Sequence, residues 1–163
     1  MSPVVKIQDT LQIAAVLLRK VAKSGPSMGQ LILCVLDEEE HSDRVLECAA
    51  NLALNADANI VITAVLQLLN TPMGCIPIVD ESGLRRILRR AVWIARSRGI
   101  DDVSWRLLRS TVPSQAIAEA AAHLGADRIV IGARKAPRIL RFFVRSVPDE
   151  LSRRTPCPVT VLQ

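Results

Sequence analysis

The chain reads as an α/β protein: a right-handed, doubly wound, Rossmann-like parallel sheet of five strands, with an extra helix at its N-terminus. Three observations carry this. Apolar runs of strand length alternate with segments of helical spacing. The runs at 31–36, 59–66 and 127–133 each hold consecutive apolar residues pointing to both faces, as strands covered on both faces do. Half of the 163 residues are apolar, enough for one domain to bury its own core.

Residues 9–23, DTLQIAAVLLRKVAK, form the extra helix, with a cap at Asp9 or Thr10, a broad apolar face from Leu11 to Val21, and Ser24-Gly25-Pro26-Ser27 as its stop. Residues 1–28 are thus a helix and linker, and 29–163 a domain. The first strand, LILCVL (31–36), ends at Asp37 and a polar turn. SDRVLECAANLALNAD (42–57) follows with helical spacing at Val45, Leu46, Ala49, Leu52 and Ala53. Ser42 is its expected N-cap, with Glu39 or Asp43 adding charge at that terminus. NIVITAVL (59–66) is a central strand. Residues 67–80 hold Asn70, Pro72, Gly74 and Pro77 and read as a long loop.

The next helix, about 80–98, buries Leu84, Ile87, Leu88, Ala91, Ile94 and Ala95, exposes six arginines, and stops at Gly99. DVSWRLLR (102–109) alternates as a strand nearer the sheet edge. Pro113 opens and Gly125 closes an Ala-rich helix, and DRIVIGA (127–133) is a buried strand. An Arg-rich connection (134–145), a short helix from Val147 to Arg154 and a last strand, PVTVLQ (158–163), complete the chain.

Composition excludes several classes. The longest strongly apolar stretches, 11–18 and 58–69, fall short of the roughly 20 residues that cross a bilayer. The N-terminus lacks a signal peptide's basic start and cleavage site, so the expectation is cytoplasmic. Aromatics at 2%, with no Tyr, argue against stacking platforms for nucleic acid. Cys34, Cys48, Cys75 and Cys157 form no CxxC pair and read as reduced thiols rather than metal ligands. Charge is asymmetric: residues 1–80 carry five basic and nine acidic side chains, residues 81–163 sixteen and seven. Arg supplies 17 of the 21 bases, which biases the second half toward ion pairs and anions. His41 and His123 stand in no catalytic motif, and no nucleophile–base pair is visible, so no catalytic residue is assigned and the chain is not expected to be an enzyme.

In such sheets ligands sit beyond the carboxyl ends of the strands where strand order reverses, which sets Asp37–Ser42 opposite Ala133–Ser146. At these loops the chain resembles the universal stress protein family, over about Leu31 to Gln163. ILCVLDEEEHSDRVLECAANLALNADANIVITAVL is similar to the family's first strand, acidic turn, first helix and second strand. VPSQAIAEAAAHLGADRIVIGAR is similar to its third helix and fourth strand, and RSVPDELSRRTPCPVTVL to its closing helix and strand. Ser146-Val147, Leu151 and Pro156-Cys157-Pro158-Val159 carry the most specific agreement.

The resemblance implies the adenine nucleotide alpha hydrolase-like fold and a nucleotide site. ATP-binding members use a G-x2-G-x9-G-[ST] loop, in which glycines let backbone amides approach the phosphates. Here Gly132 keeps the first position and Ser146 the last, but Lys135 and Arg145 replace the other two glycines. Asp37 matches the acidic residue ending the first strand, Val65 the residue whose backbone meets adenine, and Arg134 lies within the loop. The implied function is a regulatory or binding module with a degenerate nucleotide site that does not bind ATP tightly, with no firm cofactor beyond ATP or AMP. Two alternatives stay open: an ATP- or AMP-binding member with weak ATPase or phosphate-transfer activity using Asp37, Gly132, Arg134 and Ser146, and a cytosolic regulatory domain associated with a membrane transporter. The resemblance also implies a homodimer through the last strand, Val159 to Leu162.

Arg134, Arg138, Arg141 and Arg145 recur at i, i+4, i+7 and i+11, one basic stripe if helical. It could pair with Glu38-Glu39-Glu40, hold a small anion or phosphate, or meet an acidic partner, lipid or nucleic acid. Phe142-Phe143 beside it could be core or the apolar foot of a partner interface.

Overall fold

The computed structural model describes residues 29–37, 42–133 and 147–162. In chain order the elements are β1 (Leu31–Val35), α1 (Ser42–Ala56), β2 (Asn59–Thr71), β3 (Gly74–Pro77), α2 (Glu81–Ser97), β4 (Val103–Ser110), α3 (Pro113–Leu124), β5 (Arg128–Gly132), α4 (Val147–Arg154) and β6 (Val159–Leu162). β1 pairs in parallel with β2 on one side and β5 on the other, β2 continues to β4, and β5 to β6. The parallel sheet therefore runs β4-β2-β1-β5-β6, and its order reverses between β1 and β5, as the alternating pattern predicts.

Strand alternation divides the core. Ile32, Cys34, Ile60, Ile62, Ala64 and Val130 face one way and pack with Val45, Ala49 and Ala53 of α1 and Leu84, Leu88, Ala91 and Ala95 of α2. Leu33, Val35, Val61, Ile129 and Ile131 face the other way and pack with Ile117 and Ala121 of α3 and Leu151 of α4. Every one of these side chains is buried. Their removal from water, at roughly 25 cal/mol per Å², is the main force holding the helices on the sheet. Burial of Cys34, with Cys48 nearby, pushes its thiol well above the ordinary cysteine range, so it is a core residue and not a nucleophile.

Two expectations need correction. Residues 67–80 are not a loop: β2 runs on to Thr71, and β3 folds back on it antiparallel, pairing Leu68 with Pro77 and Leu69 with Ile76, so the described strands number six, not five. The breaker residues mark the turn instead. Pro72 follows Thr71 where a fixed φ favours a tight turn, Gly74 takes φ +121° at its exit, and the Thr71 hydroxyl donates to the Gly74 carbonyl at 2.7 Å. Ser42 is also not seen capping its helix amides. It is the helix's first residue, and its hydroxyl turns back to Asp37. The expected N-terminal helix (9–23), the acidic turn at Glu38–Glu40 and the 134–145 stripe with Phe142-Phe143 lie outside the described residues.

Candidate functional site at the strand-order reversal

Backbone alternation along β2 locates the site. In a parallel ladder successive residues send their amide and carbonyl groups to opposite neighbours. Asn59 N donates to Gln30 O at 2.8 Å and Thr63 O accepts from Leu36 N at 2.8 Å, so odd-numbered residues face the β1 side. Ile60 N donates to Asp102 O at 3.2 Å, so even-numbered ones face the β4 side. Further on, Gln67 O accepts from Ile78 N at 2.9 Å, which sets the β3 hairpin on the β1 side as well, beyond the end of β1. Val65 lies between these two bonds. Its backbone amide and carbonyl point into the interval between Leu36 and Ile78, while its side chain is half-buried against the Leu33 and Ile117 cluster. The same alternation sends the nitrogen of Pro77 away from β2, so a proline there costs no ladder bond.

Asp37 sits two residues past Val35, which pairs with Thr63 on β2 and Ile131 on β5. The Ser42 hydroxyl donates to the Asp37 carbonyl at 2.6 Å, lies 3.1 Å from the carboxylate Oδ1, and accepts from the Asp37 amide at 3.3 Å. This clasp joins the end of β1 to the start of α1 and fixes where the Asp37 carboxylate stands. Below it Thr63 is buried, its hydroxyl donating to the Arg106 carbonyl at 3.0 Å.

Gly132 is the last residue of β5, one past Ile131, and Ala133 N bonds Leu162 O at 2.7 Å to close the strand against β6. A Cβ on Gly132 would meet Val45 Cγ2 at 3.2 Å. The glycine therefore serves α1 packing in its own right, by letting the helix close on the end of β5. Asp37, Val65 and Gly132 are thus brought to three adjacent strands, Gly132 at the carboxyl end of β5, Asp37 just past that of β1, and Val65 where β2 runs on beyond β1. Arg134 and Ser146, predicted with them, lie outside the described residues.

Sequence reasoning missed two features near this end of the sheet. One is the β3 hairpin. The other is a buried tie between α3 and α4: Ser114, 1% exposed, donates its hydroxyl to Glu150 Oε2 at 2.7 Å. Ser114 follows Pro113 at the helix start, where a polar residue reads as a local cap, so nothing in the sequence pointed to a partner 36 residues on. His123 is exposed on α3, and among the described residues no group of three or more His, Cys, Asp and Glu is placed to hold a metal ion.

Comparison with known proteins agrees with this arrangement. Solved structures of the same fold include a universal stress protein in complex with cAMP (22% identity, TM-score 0.65, covering 84% of this chain and 98% of that one). They also include a universal stress protein from Archaeoglobus fulgidus in complex with dAMP (21%, 0.60, 83% and 98%) and a family protein from Burkholderia pseudomallei (26%, 0.59, 85% and 98%). A search of curated proteins found no match. The family model for the universal stress proteins matches residues 28–163, the whole span from β1 to β6 that holds Asp37, Val65 and Gly132, and the chain belongs to the universal stress protein family.

Proposed function

We propose that this chain is a regulatory binding module whose site at the β1/β5 reversal takes an adenosine monophosphate-type nucleotide in preference to MgATP. The observation that carries the reading is the convergence of Asp37 and Gly132, at the ends of β1 and β5, with the Val65 backbone where β2 runs on past β1. The Val65 amide and carbonyl offer one donor and one acceptor side by side, which suits the edge of an adenine ring. The Asp37 carboxylate suits a ribose hydroxyl, which can donate to it. That two proteins of this fold were solved with cAMP and dAMP supports the ligand class.

Discrimination against a triphosphate rests on the loop between Gly132 and Ser146. Lys135 and Arg145 bring side chains to the two positions where a glycine would let backbone amides close on β- and γ-phosphates. A single phosphate needs less of that cradle, and Arg134 is available to meet it bidentately. The module works by binding and not by catalysis, in keeping with a sequence that offers no nucleophile–base motif. It works in the cytoplasm, with residues 1–28 a helix (9–23) packed on protein and a linker. Its homodimer forms through β6, whose outer edge has no strand partner among the described residues and where Val161 is 40% exposed.

Mass spectrometry of small molecules released from the purified full-length protein tests the reading. AMP-type nucleotide, or none, is expected, and ATP recovered in stoichiometric amount would overturn it.

A further inference from the structure

The α2 helix carries a surface that neither the core nor the nucleotide site uses. Leu84, Leu88, Ala91 and Ala95 bury one face against the sheet. At i, i+3, i+4, i+7 and i+10 along the opposite side stand Arg86, Arg89, Arg90, Trp93 and Arg96, over about 15 Å of helix. Trp93 is 70% exposed at the outermost point, so most of its ring surface is left to solvent. The other arginines of the helix are engaged. Arg85 bonds Glu81, with its guanidinium 5.8 Å from the Trp105 ring, Arg90 pairs with Asp43 at 3.1 Å, and the following Arg98 reaches Glu47 at 3.6 Å. Arg86, Arg89 and Arg96 make no ion pair within 4 Å among the described residues: Arg86 acts on the Asp80 carboxylate only from a distance, and Arg96 donates to the Val103 carbonyl at 3.4 Å.

The segment leading into this helix is also unusual. Met73 at the hairpin turn is fully exposed, and Ile78, three residues before Glu81, is 54% exposed. Exposed cations without an ion pair within 4 Å among the described residues, an exposed indole, and exposed aliphatic side chains in the segment that enters the helix together describe one chemistry. Arg binds phosphate bidentately, Trp favours the boundary between polar headgroups and acyl chains, and aliphatic side chains enter that boundary.

We propose that the outer face of α2 is a docking surface for an anionic phospholipid membrane, which Arg86, Arg89 and Arg96 hold by its phosphates and into which Trp93 inserts its ring. Charge complementarity selects this occupant. A helix face is convex and carries one aromatic, whereas single-stranded nucleic acid is gripped by several aromatic faces in a groove. A protein partner would need an apolar patch of several side chains at its centre, and here one indole stands among cations. A headgroup layer requires no shape match and presents a phosphate to every arginine. The apolar side of α2 is already spent on the core, so the attachment is superficial and reversible. Among the described residues no helix is long and apolar enough to cross a membrane.

The test is flotation of the full-length protein with vesicles of 30% phosphatidylglycerol in phosphatidylcholine, against phosphatidylcholine alone, at low salt and at 0.15 M. Binding to the anionic vesicles only, weakening with salt, is expected. It should fall roughly fivefold for each arginine removed, so that R86Q/R89Q/R96Q abolishes it while residues 1–28 stay in place. In a W105F background, where Trp93 is the single fluorophore, emission should shift to the blue on anionic vesicles. The arginines are exposed and their substitutions leave the core untouched, whereas Trp105 packs against it, so the W105F background is used only where its own melting temperature matches that of the natural protein. Equal binding to both vesicle types, retention by the triple variant, or binding to polyglutamate or duplex DNA but not to vesicles would each overturn the proposal.

Discussion

A methyl group on Gly132 would press on Val45 from 3.2 Å, closer than most packed carbon atoms stand, so α1 would have to give way by a few tenths of an ångström. Overpacking of this kind costs about 1 kcal/mol or more. Gly132→Ala should therefore lower the melting temperature by about 3 °C with no nucleotide present, and thermal denaturation of the unliganded protein measures it. An unchanged melting temperature would mean that the glycine is kept for the ligand alone. At the start of α2, Asp80 is held below the ordinary carboxylate range, first by the Ser82 hydroxyl and then by the Ser82 and Gly83 amides it caps. Because the folded form has the lower pKa, the cap stabilises fully above the unfolded value of about 3.9 and is lost as pH falls through the folded one. Asp80→Ala should melt a few degrees lower than the natural protein at pH 6, and the two should converge in stronger acid. A gap independent of pH would contradict the cap.

Between elements, the α3–α4 contact includes one buried polar bond. Ser114 and Glu150 meet across two helices, beside Ile117 and Leu151, with the hydroxyl sealed from water. Removing that donor costs about 1–2 kcal/mol, since the acceptor is charged. Ser114→Ala should shift the urea midpoint accordingly with the slope unchanged, whereas a shift within error would make the bond incidental. The same scale shows what sequence patterning can and cannot reveal. Continuous runs such as Ile60 to Leu66 announced buried parallel strands because both their faces meet helices. Gly99 and Gly125, at φ +90° and +65°, ended helices where only glycine takes that backbone easily. The β3 hairpin was illegible because Asn70, Pro72, Gly74 and Pro77 break pattern within ten residues. Only the register shows that Pro72 lies in the turn and Pro77 faces away from the ladder. Ser42 was misread for a related reason: a serine at a helix start matches a cap, and its pull toward Asp37 is a contact across the strand–loop–helix junction.

For the whole molecule, the sheet order places three of the five predicted site residues at one end, and it follows from a simple rule: the strand order reverses where the chain, having built one side from β1, returns to build the other. The place of Asp37 was legible because it ends the first apolar run at that reversal, whereas Gly132 was singled out through the family's glycine loop. Val65 too was legible only through the family resemblance, since nothing in its own side chain distinguishes it from its neighbours in β2. Part of the charge asymmetry of the chain is seen on α2 and its C-cap, where Arg85, Arg90 and Arg98 pair with Glu81, Asp43 and Glu47 while Arg86, Arg89 and Arg96 make no ion pair within 4 Å among the described residues. The site itself turns on how much phosphate it admits, and isothermal titration of the full-length protein with AMP and with MgATP measures that most directly. The account predicts heat from AMP and none from MgATP at micromolar concentration, with MgATP binding gained in Lys135→Gly/Arg145→Gly. A dissociation constant for MgATP below about 10 μM in the natural protein, near −7 kcal/mol, would contradict it.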